Sequence, residues 1–126
     1  MKIESYFYTY NTKISMSVLE NKKYYHCLEL NSIEIPTTVK EIGNECFSGC
    51  HKLSSIEIPT TVTSIGKKCF AFCTSLSSIT IPTSVSRLEF CCFFGCKNLK
   101  SIEIPTTVTY IGMNCFAHCS NLWVNE

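Results

Sequence analysis

The sequence predicts a β-rich solenoid in which short strands stack coil upon coil, and three observations carry that expectation. Proline recurs at Pro36, Pro59, Pro82 and Pro105, always 23 residues apart. The segments around those prolines, SIEIPTTV, SIEIPTTV, SITIPTSV and SIEIPTTV, repeat at the same step. The apolar positions keep it too: Leu30, Leu53, Leu76, Leu99 and Leu122 form one series, and Phe47, Phe70, Phe93 and Phe116 another. A unit this short cannot bury its own apolar edge, so a fixed period of this size implies stacked neighbours sharing one core.

The chain opens on a weaker copy of the pattern. Stepping back by the period from the first full unit reaches Tyr10, Met16, Leu19, Tyr24, Cys27 and Leu30, apolar or semi-polar residues at core positions without the Pro or the Gly. Residues 1–29 are therefore expected to be a degenerate N-terminal capping repeat, with the solenoid proper over residues 30–126. Terminal repeats are atypical because their outer face meets water. The N-terminal stretch has no apolar run of signal-peptide length, so no secretory leader is expected.

Within a full unit, Ile56 and Ile58 alternate with Ser55 and Glu57. That period of two places the isoleucines inside and the Ser and Glu outside on a short strand. Pro59 lacks the N–H that a ladder needs and fixes its own backbone, so it should end the strand and let Pro-Thr-Thr turn the chain. Val62 and Ile65 re-enter the core before Gly66. That glycine recurs as Gly43 and Gly112, which suggests a backbone angle that only glycine adopts cheaply; Glu89 fills the equivalent place in the third unit, which should be strained or differently turned there. Each unit closes on Cys-Phe-x-x-Cys and a Leu. After Leu122 the chain reads WVNE, placing Asn125 where the repeat calls for Ile. The last full strand is then followed at most by a stub at Trp123 and Val124, and an uncovered edge is a template for pairing, so self-association through this end is expected.

The string I-x-I-P-x-x-V-x-x-I-G-x-x-C-F-x-x-C-x-x-L resembles the BspA-like branch of the leucine-rich repeats, with its clear part running from about Leu30 to Leu122. The resemblance implies a short right-handed array, an adhesin-like or scaffold-like role, and no catalytic residue in the motif. Relatives are found on bacterial surfaces and in parasitic protists, some displayed on cells and some intracellular. Where many relatives carry Ala before the Phe, this chain has Cys46, Cys69, Cys92 and Cys115, and many relatives are far longer, so the chain reads as a minimal member or a fragment.

Ten cysteines raise the question of thiol or metal chemistry. Cys-x-x-x-Cys falls within zinc-ligand spacing. These cysteines nevertheless recur with the solenoid period, as the leucines do, and free Cys packs as a small hydrophobe. The preferred reading is a reduced structural ladder, ahead of disulfides and of metal, and no metal or cofactor is expected. A ladder of free thiols fits a reducing compartment, which favours a cytoplasmic location, while the resemblance admits the cell surface. His26, His51 and His118 lie beside Cys27, Cys50 and Cys119, but adjacent residues point apart and spoil the hydrogen bond that activates a thiol. An enzyme is not expected, and a thiol enzyme or zinc protein is the remote alternative.

With 45% apolar and 17% charged residues the chain reads as globular, not disordered. A net charge of +1 gives no footprint for nucleic acid, and no apolar run approaches a membrane span. A non-enzymatic protein-interaction module is the expectation, with unidentified protein partners and a cell-surface adhesin as its rival. Two surfaces are candidates. The outward strand column carries Glu34, Glu57, Thr80 and Glu103 beside a serine stripe; the loops carry apolar substitutions at Phe90, Met113 and Tyr110, with Phe72 and Phe94 nearby. The first is ordinarily a solvated face, and the second is ordinarily local packing around EFCCFFGC.

Overall fold

The computed structural model describes residues 16–124. Eight short strands follow in chain order: β1 (Val18–Leu19), β2 (Glu41–Ile42), β3 (Ser64–Ile65), β4 (Ser78–Thr80), β5 (Arg87–Leu88), β6 (Ser101–Glu103), β7 (Tyr110–Ile111) and β8 (Trp123–Val124). All pair in parallel, as coils of one winding must. Each full unit thus contributes two extended segments where the sequence suggested one. The Ser-Ile-Glu segment builds β4, β6 and β8, and in the first two units it is reduced to a bridge between Glu34 and Glu57. The segment before the glycine builds β1, β2 and β3, then β5 and β7.

Between these ladders lies the core. Ile56 and Ile58 are buried while Ser55 and Glu57 are exposed, as the alternation requires. The Pro-Thr-Thr turn closes on itself, since the N–H of Val39, Val62, Val85 and Val108 each donates to the proline carbonyl three residues back at 3.0 Å. Thr61 and Thr107 donate their hydroxyls to Val39 and Val85 of the preceding coil. At the opposite end, Tyr24, Phe47, Phe70, Phe93 and Phe116 stack with ring centroids 5.4–5.5 Å apart.

The repeated glycines serve a different purpose from the one expected. Left-handed backbone occurs at Gly49 and Gly95, not at Gly43, Gly66 or Gly112. A Cβ on Gly66 would stand 2.5 Å from the Asn44 nitrogen and 2.6 Å from the Gly43 carbonyl carbon, and Gly112 is as crowded against Glu89 and Phe90. These glycines let one coil's backbone lie on the next, so the constraint is proximity and not backbone angle.

Glu89 breaks that column, and the consequence is a seam. The ladder orders are β1-β2-β3 and β5-β7, with no pairing between β3 and β5. The Ser-Ile-Glu ladder stops between the same two coils, after Glu57 and before β4. Gly43, Gly66 and Gly112 donate to Leu19, Ile42 and Leu88 at 2.7–2.8 Å, whereas no bond from Glu89 to Ile65 exists among the described residues. A side chain where the backbones should touch holds the coils apart. An asparagine ladder also ends here: Asn21 and Asn44 accept from the backbones of Asn44 and Lys67, but Lys67 has no such carbonyl to offer Phe90. The turn side stays joined, with Phe70 donating to Cys92 at 2.8 Å and Phe72 to Phe94 at 2.7 Å. The third unit is therefore not turned differently; it is separated along its strands.

The ends also differ from strict repetition. Tyr24 stacks on Phe47 and β1 pairs with β2, so residues 16–29 continue the winding, while Tyr10 and the rest of 1–15 lie outside the described residues. At the other end β8 pairs with β6 one residue out of step, Trp123 opposite Ser101 and Val124 opposite Ile102. The slip sets Val124 opposite Ile102, the backbone register that the period reserves for Asn125. Ile104, Val108, Phe116 and Leu122 are only partly buried, and Trp123 is 78% exposed.

Candidate functional site

The strand face holds Glu34, Glu57, Thr80 and Glu103, all exposed. Glu34 and Glu57 oppose one another directly, and Thr80 opposes Glu103, so the acidic column is interrupted at the third coil. A shallow depression of about 420 Å³ lies over Ser32, Glu34, Ser55 and Glu57. Its groups are solvated acceptors and hydroxyls with no convergence on a point.

The turn face is more structured. In the first three Cys-Phe-x-x-Cys turns, alternate N–H groups bond within the coil and to the next coil: Ser48 donates to Glu45 at 3.2 Å, while Phe47 and Gly49 donate to Cys69 and Ala71 at 2.9 and 2.8 Å. Two residues of each turn are left-handed. One column is Lys22, Glu45, Lys68, Cys91 and Asn114; the other is His26, Gly49, Phe72, Gly95 and His118, all with φ between 53° and 75°. The second column alternates ring and glycine. A Cβ on Gly49 would meet the His26 ring at 2.2 Å, and one on Gly95 the Phe72 ring at 2.9 Å, so each ring lies across the glycine of the following coil.

That alternation produces a groove of about 620 Å³, whose walls include Lys22, Tyr25, Lys68, Phe72, Phe90 and Phe94. Phe72 meets Phe94 edge-on at 5.4 Å, and Phe94 meets His118 at 5.1 Å, a run of rings crossing three coils. Phe72 is 46% exposed and Phe90 37%. Ammonium groups line the same groove: Lys22 lies 5.1 Å from the Tyr25 ring and Lys68 5.8 Å from the Phe90 ring. Lys22 also reaches Glu45 at 3.8 Å. Among the described residues no carboxylate pairs with Lys68.

Of the apolar loop substitutions at Phe90, Met113 and Tyr110, only Phe90 enters this groove, where it joins the nearby Phe72 and Phe94. Met113 is exposed beyond it, and Tyr110 lies under the Arg87 guanidinium, 3.9 Å from its ring centroid, on β7. Sequence reasoning misses Lys22, Tyr25 and Lys68. The signal that could have found the ring and glycine column is a period of two repeats, which a search for single-repeat constancy passes over.

Nine of the ten thiols pack in or against the core, and Cys91 lines the turn-face groove. Cys50, Cys73, Cys96 and Cys119 donate to Tyr24, Phe47, Phe70 and Phe93 of the preceding coil, at 3.0–3.2 Å. Burial pushes Cys46, Cys50 and Cys115 up to about 12 and raises Cys69, Cys73 and Cys92 as well. Contact with the Cys119 thiol, then burial, raises Cys96; the same contact lowers Cys119. A nucleophile needs the thiolate, and burial opposes it. No cluster of three metal-ligating side chains occurs among the described residues, and no helix there is long and apolar enough to cross a membrane.

A family model for the BspA type leucine-rich repeat region matches residues 17–124 in six copies. The chain is similar to a leucine-rich repeat protein of T. pallidum, 32% identical with a TM-score of 0.84, over 86% of this chain and 51% of that one. It is also similar to a leucine-rich cell surface protein of Faecalibacterium prausnitzii, 31% identical with a TM-score of 0.59, over 78% of this chain and 32% of that one. A leucine-rich repeat protein of Bacteroides ovatus is 29% identical with a TM-score of 0.71, over 86% of this chain and 34% of that one. This chain spans about half of the first structure and about a third of the others. No curated protein matches it.

Proposed function

The chain belongs to the BspA-type leucine-rich repeat family, and from that premise we propose that it is a non-enzymatic protein-interaction module whose docking surface is the aromatic groove of the turn face. The observation that carries this reading is the run of solvent-facing rings. Phe72 and Phe90 stand exposed, held in place by stacked backbone, and ordered aromatic anchors beside a groove are what interfaces use. The strand face offers only a serine stripe and an interrupted acidic column. Inward thiols, most of them held neutral by burial, support a role without chemistry. Residues 1–29 serve as the cap in this reading.

Two finer assignments complete the proposal. The thiol-rich core fits a reducing compartment, so the cell interior is preferred to surface display, the role named for the Faecalibacterium prausnitzii protein. The exposed side chains of Ile111 and Trp123 are a second candidate contact, for another copy of the chain.

Site-specific photo-crosslinking tests the choice of face. A photoreactive residue at Phe90 should give protein adducts in cells, while the same residue at Glu57 should not. Adducts from Glu57 alone would transfer the function to the strand face and refute the groove.

A further inference from the structure

Given the docking reading above, on which it rests, we propose that the turn-face groove takes an extended protein segment in which a carboxylate side chain flanks aromatic or large apolar ones. The rings specify the apolar part. Phe72, Phe94 and Phe90 present faces and edges to solvent along the groove, and ring pairs gain from offset or edge contacts with further aromatic groups. The carboxylate is specified by Lys68. Its ammonium sits at the groove wall over the Phe90 ring, where no carboxylate of the described chain meets it. A cation held against a ring retains its charge, so an arriving carboxylate meets a placed ammonium beside an apolar surface that reduces screening.

The other charges in the groove point the same way. Glu45 is already engaged by Lys22 at 3.8 Å, which leaves Lys68 as the uncompensated charge and the groove cationic. A basic segment would face Lys68 and Lys22 with no unpaired acid to receive it. The acidic column on the strand face is where such a segment would go instead. We assign the segment an extended conformation because alternate side chains then share one face and can meet the rings, which cross three coils from Phe72 through Phe94 to His118.

The test uses the full chain and three synthetic peptides of alternating phenylalanine, glutamate and glycine, with the glutamates kept, changed to glutamine, or changed to lysine. By calorimetry the glutamate peptide should bind about fivefold more tightly than the glutamine one, and the lysine peptide least. Lys68→Gln should erase the difference between glutamate and glutamine. Phe72→Asn, chosen because Asn tolerates the left-handed backbone at this position, should weaken all three by about tenfold. A thermal melt of each variant checks that the fold persists. Equal affinity for glutamate and glutamine peptides, or preference for lysine, overturns the proposal. If no peptide binds while Phe90 still crosslinks a protein, the partner chemistry is wrong and the groove reading stands. Sedimentation showing a dimer that Phe72→Asn dissolves would make a second copy the occupant, and this too overturns it.

Discussion

Replacing Glu89 with glycine should close the seam between the second and third units. The change removes a side chain from between Gly66 and Gly112, in a column where an added Cβ on Gly43, Gly66 or Gly112 would stand 2.5–3.0 Å from the preceding coil's backbone or side-chain atoms. Two bonds then become available, equivalent to those elsewhere in the stack: position 89 to Ile65, as Gly66 donates to Ile42 at 2.8 Å, and Ser86 to Thr63, as Thr109 donates to Ser86 at 2.9 Å. At about 1 kcal/mol each these contribute about 2 kcal/mol. Glycine's added freedom in the unfolded chain offsets about 0.5–1 kcal/mol, leaving a net gain of about 1 kcal/mol. The ion pair between Arg87 and Glu89 at 2.8 Å lies at the surface and its loss matters little. The reverse change, Gly66→Glu, should open a second seam one coil earlier, costing about 2–4 kcal/mol from two lost bonds and the overpacking. Urea melts read the stability, and amide exchange at positions 86 and 89 reads the closure, with protection rising more than tenfold in Glu89→Gly. No added protection there, together with a harmless Gly66→Glu, would refute the wedge.

Three further outcomes follow from the same structure. Ile79→Ala, emptying a buried position in β4, should cost about 2–5 kcal/mol in urea melts, while Thr80→Ala on the exposed face should cost far less; equal costs would mean that the faces are reversed. Stability should fall as pH rises above about 9, because the unfolded chain's thiols ionise there while Cys46, Cys50 and Cys115 remain protonated until about 12; each thiol so raised removes up to about 1.4 kcal/mol per pH unit, and a melting midpoint unchanged from pH 8 to 10.5 would contradict this. Freshly purified, denatured protein should titrate nearly all ten cysteines as free thiols with little metal, and mass spectrometry finding several disulfides or stoichiometric zinc would reverse the assignment of the ladder.

Much of the architecture was legible because a solenoid writes its core as a period. The alternation of Ile56 and Ile58 with Ser55 and Glu57 placed inside and outside correctly, and Pro59 marked the turn. The second ladder was not legible: β2 and β3 are two residues long, too short for alternation to register. Gly43, Gly66 and Gly112 were visible, but whether a glycine serves a backbone angle or a close approach depends on what lies in the next coil. The same holds for Glu89, whose departure could be seen while its effect on two ladders could not. The groove was half legible: Phe90 stood out as an apolar substitution, whereas Phe72 belongs to an alternation with Gly49 and Gly95 that spans two repeats.

Whether the turn face binds a protein segment is tested most directly by NMR titration of the isotope-labelled chain with the glutamate-containing peptide. Amide shifts should concentrate at residues 22–26, 45–49, 68–72 and 90–94, with the largest at Lys68, Phe72 and Phe90. Shifts gathered instead at residues 32–34, 55–57, 78–80 and 101–103 would place binding on the strand face and contradict the account.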